Sequence, residues 1–351
     1  MADTPTPRPR RAKPIVQPPE GDAPAPTPAN PAANPAANPA ESALRDFARV
    51  HQPIAPVAVA LSGGADSTAL LLAARQCWPG QVRALHVHHG LQAAGDDFER
   101  HCRQLCQALA VPLEVLKVQA HPAAGQSPQD AARRARYPAL ARGAAAQGCT
   151  LVLLGQHADD QAETVLLALG RGAGLPGLAA MPERFERDGM VFARPLLGVP
   201  AAAMRQWLLE QGWAFVDDPS NQDEHYRRNR LRARLMPALA EVMPHYRQTL
   251  ARSARHAAQA QQLLDELARD DLQRIGSPPR LRDLQALSVP RQANALRHWL
   301  ASAHGARPSA AQLEELLTQV AACTTAGHRI ELKAAAGRVT RQGPVLAYLA
   351  P

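Results

Sequence analysis

The stretch Val57–Ala74, VAVALSGGADSTALLLAA, decides the fold. Its first five residues are apolar and small or branched, a run too short for a self-burying helix and suited to one strand of a covered sheet. Ser62-Gly63-Gly64-Ala65-Asp66-Ser67 interrupts the run, and apolar residues resume at Ala69 with helical character. A strand that turns through two adjacent glycines into a helix aims the turn's amides and the positive helix end at one spot. That spot suits an anion. Ser62 and Ser67 can add hydroxyl donors. A plain glycine turn with a Ser or Asp helix cap is the simpler alternative. No Gly-Lys-Ser/Thr follows at the spacing a Walker A loop needs.

Strand and helix patterns alternate outward from this point. VRALHVHHGL predicts a second strand, DDFERHCRQLCQALA a helix, PLEVLKVQA a third strand and DAARRARYPALARGAAAQG a long helix ending near Gly148. TLVLLGQHADD predicts a fourth strand running into the helix DQAETVLLALGRGA. Strands separated by helical stretches of this length imply right-handed crossovers. The expected class is α/β, a doubly wound parallel sheet with functional residues at the carboxyl ends of its strands. After Asp217 the text becomes Arg-, Leu- and Ala-rich and mostly helical, and HRIELKAAAGRVTRQGPVLAYLA ends it with two or three short strands. The expected division is a disordered Pro/Ala-rich tail over 1–45, a catalytic domain over 46–225 and a second, mainly helical domain over 226–351. The tail holds NPAANPAANPA and 12 of the 32 prolines by residue 42, and has no apolar periodicity with which to offset chain entropy. Its RPRRAK is either an RNA contact or solubilising charge.

The formal net charge is +8, and residues 1–42 carry four basic and four acidic side chains, so the excess belongs to the folded body. That suits a polyanionic partner without requiring one. The five cysteines are odd in number and form no Cys-x-x-Cys pair, as expected of thiols in a reducing cytoplasm. No run of 18 apolar residues and no signal-type leader occurs, so neither membrane insertion nor secretion is expected.

A second segment, GQHADDQAET over Gly155–Thr164, gathers His157, Asp159, Asp160 and Glu163 where strand four enters its helix. Asp160 and Glu163 are i, i+3 and share a helix face. The pair suits magnesium or an incoming ammonium group, and helix-end acidity is the plainer alternative. Ser62–Ser67 resembles the PP-loop of the ATP pyrophosphatase superfamily, whose members cleave ATP between its α and β phosphates. The His-x-x-Asp-Asp-x-x-Glu-Thr pattern, with HVHHGL before it and DPSN….YRRNRLR after it, resembles the tRNA(Ile)-lysidine synthetase family. ARRARY and RPLL fit as well, and the similarity runs from about Val57 to the C-terminus.

The resemblance implies ATP-dependent attachment of lysine to C2 of cytidine 34 in the CAU anticodon of tRNA(Ile). The carbonyl oxygen is first adenylated; free lysine then displaces AMP, and codon reading changes from AUG to AUA. It also implies roles residue by residue. Ser62, Gly63, Gly64, Ala65, Asp66 and Ser67 match the ATP loop, with Asp66 a ligand for Mg2+ or an organiser of phosphate. Asp160 and Glu163 match the pair that takes the lysine ammonium, one of which accepts its proton. Arg133 and Arg136 match basic helix residues that meet phosphate charge during adenylation. Asp217, Asn221, Tyr226, Arg228, Asn229 and Arg230 match a block between the domains, and Arg227, Arg228, Arg230, Arg232 and Arg234 form a cluster expected to bind tRNA. His86, His88 and His89 lie at a strand end, but alternation separates His88 from its neighbours and argues against a three-His metal site.

Two departures stand out: Gln129 replaces an acidic residue of the basic helix, and His88 replaces an asparagine. Many relatives carry a further C-terminal domain that checks the acceptor stem, and this chain is expected to lack it. The oligomeric state is open between monomer and homodimer. A tRNA thiolase would need a sulfur carrier, a GMP-synthetase-like enzyme a glutaminase partner, and a non-catalytic RNA binder would have no use for the loop beside the carboxylates.

Overall fold

The computed structural model describes residues 37–88, 94–118, 128–217, 223–325 and 327–350. It divides into two compact units, Met1–Ala254 and Arg255–Pro351. The first boundary expected from sequence needs correction. Helix α1 spans Pro39–His51 and buries Ala40, Leu44 and Phe47, so the fold includes residues assigned to the tail. Asn38 caps it, accepting from Ala40 N at 2.9 Å, and its amide also donates to Ala69 O at 3.0 Å. The last NPA of the repeat is therefore an Asn N-cap followed by Pro at the first helical position. Burying Leu44 and Phe47 contributes about 1.5–3 kcal/mol each. The rest of the expected tail, residues 1–36, lies outside the described residues.

Unit one is built on a six-stranded sheet. Its elements are β1 (Val57–Ala60), α2 (Ala65–Cys77), β2 (Val82–His88), α3 (Ala94–Ala108), β3 (Leu113–Lys117), α4 (Pro128–Ala146), β4 (Leu151–Leu153), α5 (Ala158–Leu169), α6 (Leu175–Leu178), β5 (Arg184–Arg187), β6 (Met190–Ala193) and α7 (Ala201–Glu210). The strand order is β3-β2-β1-β4-β6-β5. All neighbours are parallel except the antiparallel hairpin β5–β6, which sequence reading did not find. The chain winds outward from β1 to β3 and then returns to β4 on the other side of β1. The carboxyl ends of β1 and β4 thus flank a topological switch point, where a doubly wound sheet opens a crevice.

Each sheet face carries a core. Leu44, Leu70, Leu105, Met204 and Leu208 cover one, and Tyr137, Leu140, Ala144, Val152 and Phe192 cover the other. A further segment follows: α8 (Arg227–Arg230), a π-helical turn (Leu231–Leu235) and α9 (Met236–Val242). Met236 and Tyr246 pack on Ala162 of α5, which places this segment in unit one and moves the boundary expected at 225. Helix α10 (Tyr246–Ile275) begins in unit one.

Unit two holds α11 (Leu281–Gln285), α12 (Val289–His304), α13 (Ala310–Ala322) and the antiparallel strands β7 (Glu331–Ala334), β8 (Gly337–Gln342) and β9 (Val345–Leu349). Trp299, Leu300, Leu316, Val339 and Leu346 form its core. No helix among the described residues is long and apolar enough to cross a membrane.

Candidate active site

The phosphate-type loop starts where β1 stops. Leu61 N still donates to Leu85 O at 2.8 Å, and the chain then leaves the sheet. Gly63 has φ of +87°, where a side chain is strained, and a Cβ there would also stand 3.3 Å from Cys102 Sγ. Ser67 Oγ closes the turn by accepting from Ser62 N at 3.2 Å and donating to Gly64 O at 3.0 Å. Its proton is thereby committed, so Ser62 Oγ, 3.0 Å away, is the donor of that pair. Both hydroxyls are engaged inside the loop, whereas sequence reading pointed them at an anion. The donors that remain are main-chain. Gly64 caps α2 without a side-chain hydrogen bond, and the first-turn N–H groups of Ala65 and Ser67 have no acceptor within the helix, while that of Asp66 is turned toward its own carboxylate.

Gly155, just beyond β4, brings the second motif against this loop. A Cβ on it would lie 3.3 Å from Ser67 N and 3.4 Å from Asp66 C, so the close approach requires glycine. His157 follows as the N-cap of α5 and is nearly buried. Its Nε2 lies 3.6 Å from Asp66 Oδ2 and 3.4 Å from Asp160 Oδ2, and its Nδ1 is 3.6 Å from Asp159 Oδ2. Burial works against a charged ring, but Asp159, Asp160 and Asp66 outweigh it and push its pKa up to about 9. His157 is an imidazolium at neutral pH and ties the two motifs together.

The carboxylates around it differ. Asp159 is drawn well below the usual carboxylate range: burial opposes its charge, but His157, the Ala201 N–H at 3.0 Å and Arg247 prevail. Asp66 moves the other way. Burial raises it, His157 offsets part of that, and Asp160 raises it further. Glu163 is fully buried and also raised, first by burial, with the Arg232 hydrogen bond pulling against it.

Arg232 Nε donates to Glu163 Oε1 at 2.7 Å, its Nη2 lies 3.6 Å from Asp160 Oδ1, and Arg228 Nε sits 3.2 Å from Glu163 Oε2. Glu163 Oε2 has no hydrogen bond of good geometry among the described residues. Arg228 also donates from Nη2 to Thr164 Oγ1 at 3.2 Å. Two members of the arginine cluster thus face the acidic pair. Arg234 pairs with Glu224, whereas Arg227 and Arg230 are exposed. The π-helical turn carries Arg232, and such turns recur at functional sites.

A profile described as a PP-loop domain matches residues 38–239, and one described as the TilS substrate binding domain matches residues 280–343. The tRNA(Ile)-lysidine synthase of Polaromonas naphthalenivorans is 64% identical over 293 residues, covering 84% of this chain and 89% of that one. The chain belongs to the tRNA(Ile)-lysidine synthase family. The synthase of Bordetella pertussis is 42% identical over 299 residues, covering 82% of this chain and 93% of its own. That of Pseudomonas syringae pv. tomato is 46% identical over 275 residues, 72% of this chain and 61% of the relative's length. Among solved structures, the U34-tRNA thiolase NcsA from Methanococcus maripaludis aligns with a TM-score of 0.53 at 14% identity, covering 62% of this chain and 77% of that one. That likeness is one of fold alone.

Against the lysidine synthase pattern, the structure brings Ser62–Ser67, Asp66, Asp160 and Glu163 together. His157 as the hub and Asp159 as its anchor to α7 are additions. Their signal was their place in GQHADDQAET, without the strand order that puts Asp66 opposite. Arg133 and Arg136 gather instead about Tyr137, with guanidinium carbons 5.7 and 5.5 Å from its ring centre. Asp217 forms a two-point pair with Arg205, both contacts at 2.7 Å, and Asn229 donates to Asp223 O at 2.9 Å. His86 is buried with Nδ1 2.9 Å from Leu61 O, and burial lowers its pKa, as for a packed neutral ring. Among the described residues no group of three or more His, Cys, Asp or Glu is arranged to hold a metal. Asn221, His89 and the side chain of Gln129 lie outside what is described.

Proposed function

We infer that this chain catalyses ATP-dependent ligation of lysine to C2 of cytidine 34 in the CAU anticodon of tRNA(Ile), through an adenylated tRNA, giving lysidine. One observation carries the reading: the loop after β1 and the acidic helix after β4 meet at the switch point, with the α2 amides and Asp66 on one side and Asp160 and Glu163 on the other.

In this scheme the α2 amides hold the pyrophosphate end of ATP. Asp66 and Asp160 both approach the same His157 nitrogen, and Asp66 is raised first by burial and further by Asp160, with His157 offsetting part of that. The pair fits Mg2+ shared with substrate phosphates, which would supply charge neutralisation for the departing pyrophosphate. The cytidine O2 forms a bond to the α phosphorus as the bond to the β-phosphate oxygen breaks. Arg133 and Arg136 bring positive charge to the phosphate during that step.

Asp160 and Glu163 then hold the lysine ammonium. The guanidinium of Arg232 stands in for that cation, so lysine enters by replacing it. A carboxylate with a raised pKa is suited to take the proton that must leave before the amine attacks C2 and AMP departs. Arg227 and Arg230, which are exposed, are left for tRNA phosphates, together with Arg228, Arg232 and Arg234 once released. We place the enzyme in the cytoplasm, where its free thiols stay reduced.

Pyrophosphate release is the test. It is expected to require isoleucine tRNA bearing CAU and to be abolished by Asp66→Asn. Release without tRNA, or undiminished in the variant, contradicts the scheme.

A further inference from the structure

A third arginine joins Arg133 and Arg136 on the ring of Tyr137. Arg187 lies at the end of β5, where alternation puts it on the face of Phe185 and turns Arg184 and Glu186 outward. Its guanidinium carbon is 4.4 Å from the centre of the Tyr137 ring, with Arg133 and Arg136 on the same ring. Tyr137 is buried and held edge-on to Phe185 and Phe192 at 5.9 and 5.1 Å, so the platform under the three cations is rigid.

Arg194, also buried, supports the group from below. It donates to Gln156 Oε1 at 3.1 Å and to Pro182 O at 2.8 Å and reaches Tyr137 Oη at 3.5 Å. Gln156 is the residue between Gly155 and His157, so this network ties Tyr137 to the catalytic motif.

Charge balance is lacking here. Among the described residues Asp188, 3.4 Å from Arg187 Nε, is the carboxylate that pairs with any of the three stacked arginines. Arg136 Nε is buried and finds no acceptor among them. Stacking on one ring repays only part of the repulsion among three guanidiniums. The local field is positive enough that, although burial raises it, the Tyr137 hydroxyl is drawn below its ordinary pKa by Arg136, Arg133 and Arg194. An anion is the missing partner.

We propose that Arg187, stacked on Tyr137 beside Arg133 and Arg136, binds a backbone phosphate of the tRNA next to cytidine 34 and so positions that nucleotide. This rests on the proposed function. Arg133 and Arg136 on α4 are the pair assigned to the α phosphate, whereas Arg187 stands on β5, two strands beyond β4 and away from the ATP loop of β1, which leaves it for the RNA. A half-exposed arginine on a hairpin rim is also open to a large ligand. Arg187 is a positioning residue and takes no part in the bond changes.

The test uses the full chain with Arg187→Ala and Arg187→Lys. Filter binding of labelled tRNA(Ile) transcript is measured across about 50–200 mM salt, with ATP binding measured calorimetrically. Arg187→Ala is expected to weaken tRNA binding roughly tenfold and to flatten the log–log salt slope by about 0.7. KM for tRNA should rise while kcat and ATP affinity stay close to wild type. Arg187→Lys should restore the slope. An alanine variant with unchanged tRNA affinity and slope overturns the proposal, as does a loss confined to ATP. Failure of the wild-type chain to bind or modify the tRNA overturns the parent reading as well.

Discussion

Replacing Glu163 by Gln is expected to separate the two half-reactions. Glu163 is fully buried, and its charge is met by Arg232 at 2.7 Å and Arg228 at 3.2 Å, whose side chains are 39% and 44% exposed. Breaking a fully buried pair costs about 3–5 kcal/mol. Here both arginines can turn to water and Gln keeps an oxygen for Arg232 Nε, but its buried amide nitrogen then faces Arg228, so the stability cost is about 1–3 kcal/mol. The chemical cost is larger. Losing a charged hydrogen bond to the ammonium is worth about 1.5–3 kcal/mol, and losing a proton acceptor about 100-fold in rate or more. Lysine transfer should therefore fall by about 100-fold or more while adenylation changes only a few-fold. α-Labelled ATP without lysine first accumulates adenylated tRNA, and a lysine chase then times AMP release. Equal loss in both steps refutes the assignment of Glu163 to lysine.

Other outcomes follow from the same geometry. The pKa of His157, near 9, lies above the value of about 6.5 for an unfolded histidine, so its stabilisation is complete below about 6.5 and is lost as pH rises through 9. Thermal unfolding should show wild type losing stability across that window and His157→Gln changing less; parallel curves contradict the hub role. Gly155→Ala should displace the ATP loop at a cost of about 1–3 kcal/mol and weaken ATP binding in calorimetry, because backbone at 3.3–3.4 Å cannot give way cheaply. Burial pushes the Cys102 thiol up to about 12 and Cys106 up to about 11, so both should resist iodoacetamide until denaturant is added. Modification of either in the native chain would show that this core opens.

Local patterns in the sequence carried much of the architecture. Val57–Ser67 is legible because a strand, two glycines and a helix have one common outcome, and the spacing of Asp160 and Glu163 is set by helix geometry alone. What stayed hidden depends on distant partners. The hairpin β5–β6 is short, and Arg187-Asp188-Gly189 looks like polar loop until Phe185 is seen stacked on Phe192 at 5.4 Å. Helix α1 was masked by its repeat, although Asn38-Pro39 followed by Glu41 is a helix start. The arginine-rich block read as one RNA-facing surface because composition cannot say which arginines turn inward. Arg228 and Arg232 reach Glu163, and the three outer ones do not.

The most direct measurement is incorporation of labelled lysine into isoleucine tRNA transcripts by the purified chain with ATP and Mg2+. The expected result is one lysine per CAU-bearing transcript, dependent on ATP, and none on a transcript bearing UAU. Incorporation without ATP, or equal on both anticodons, would contradict the account.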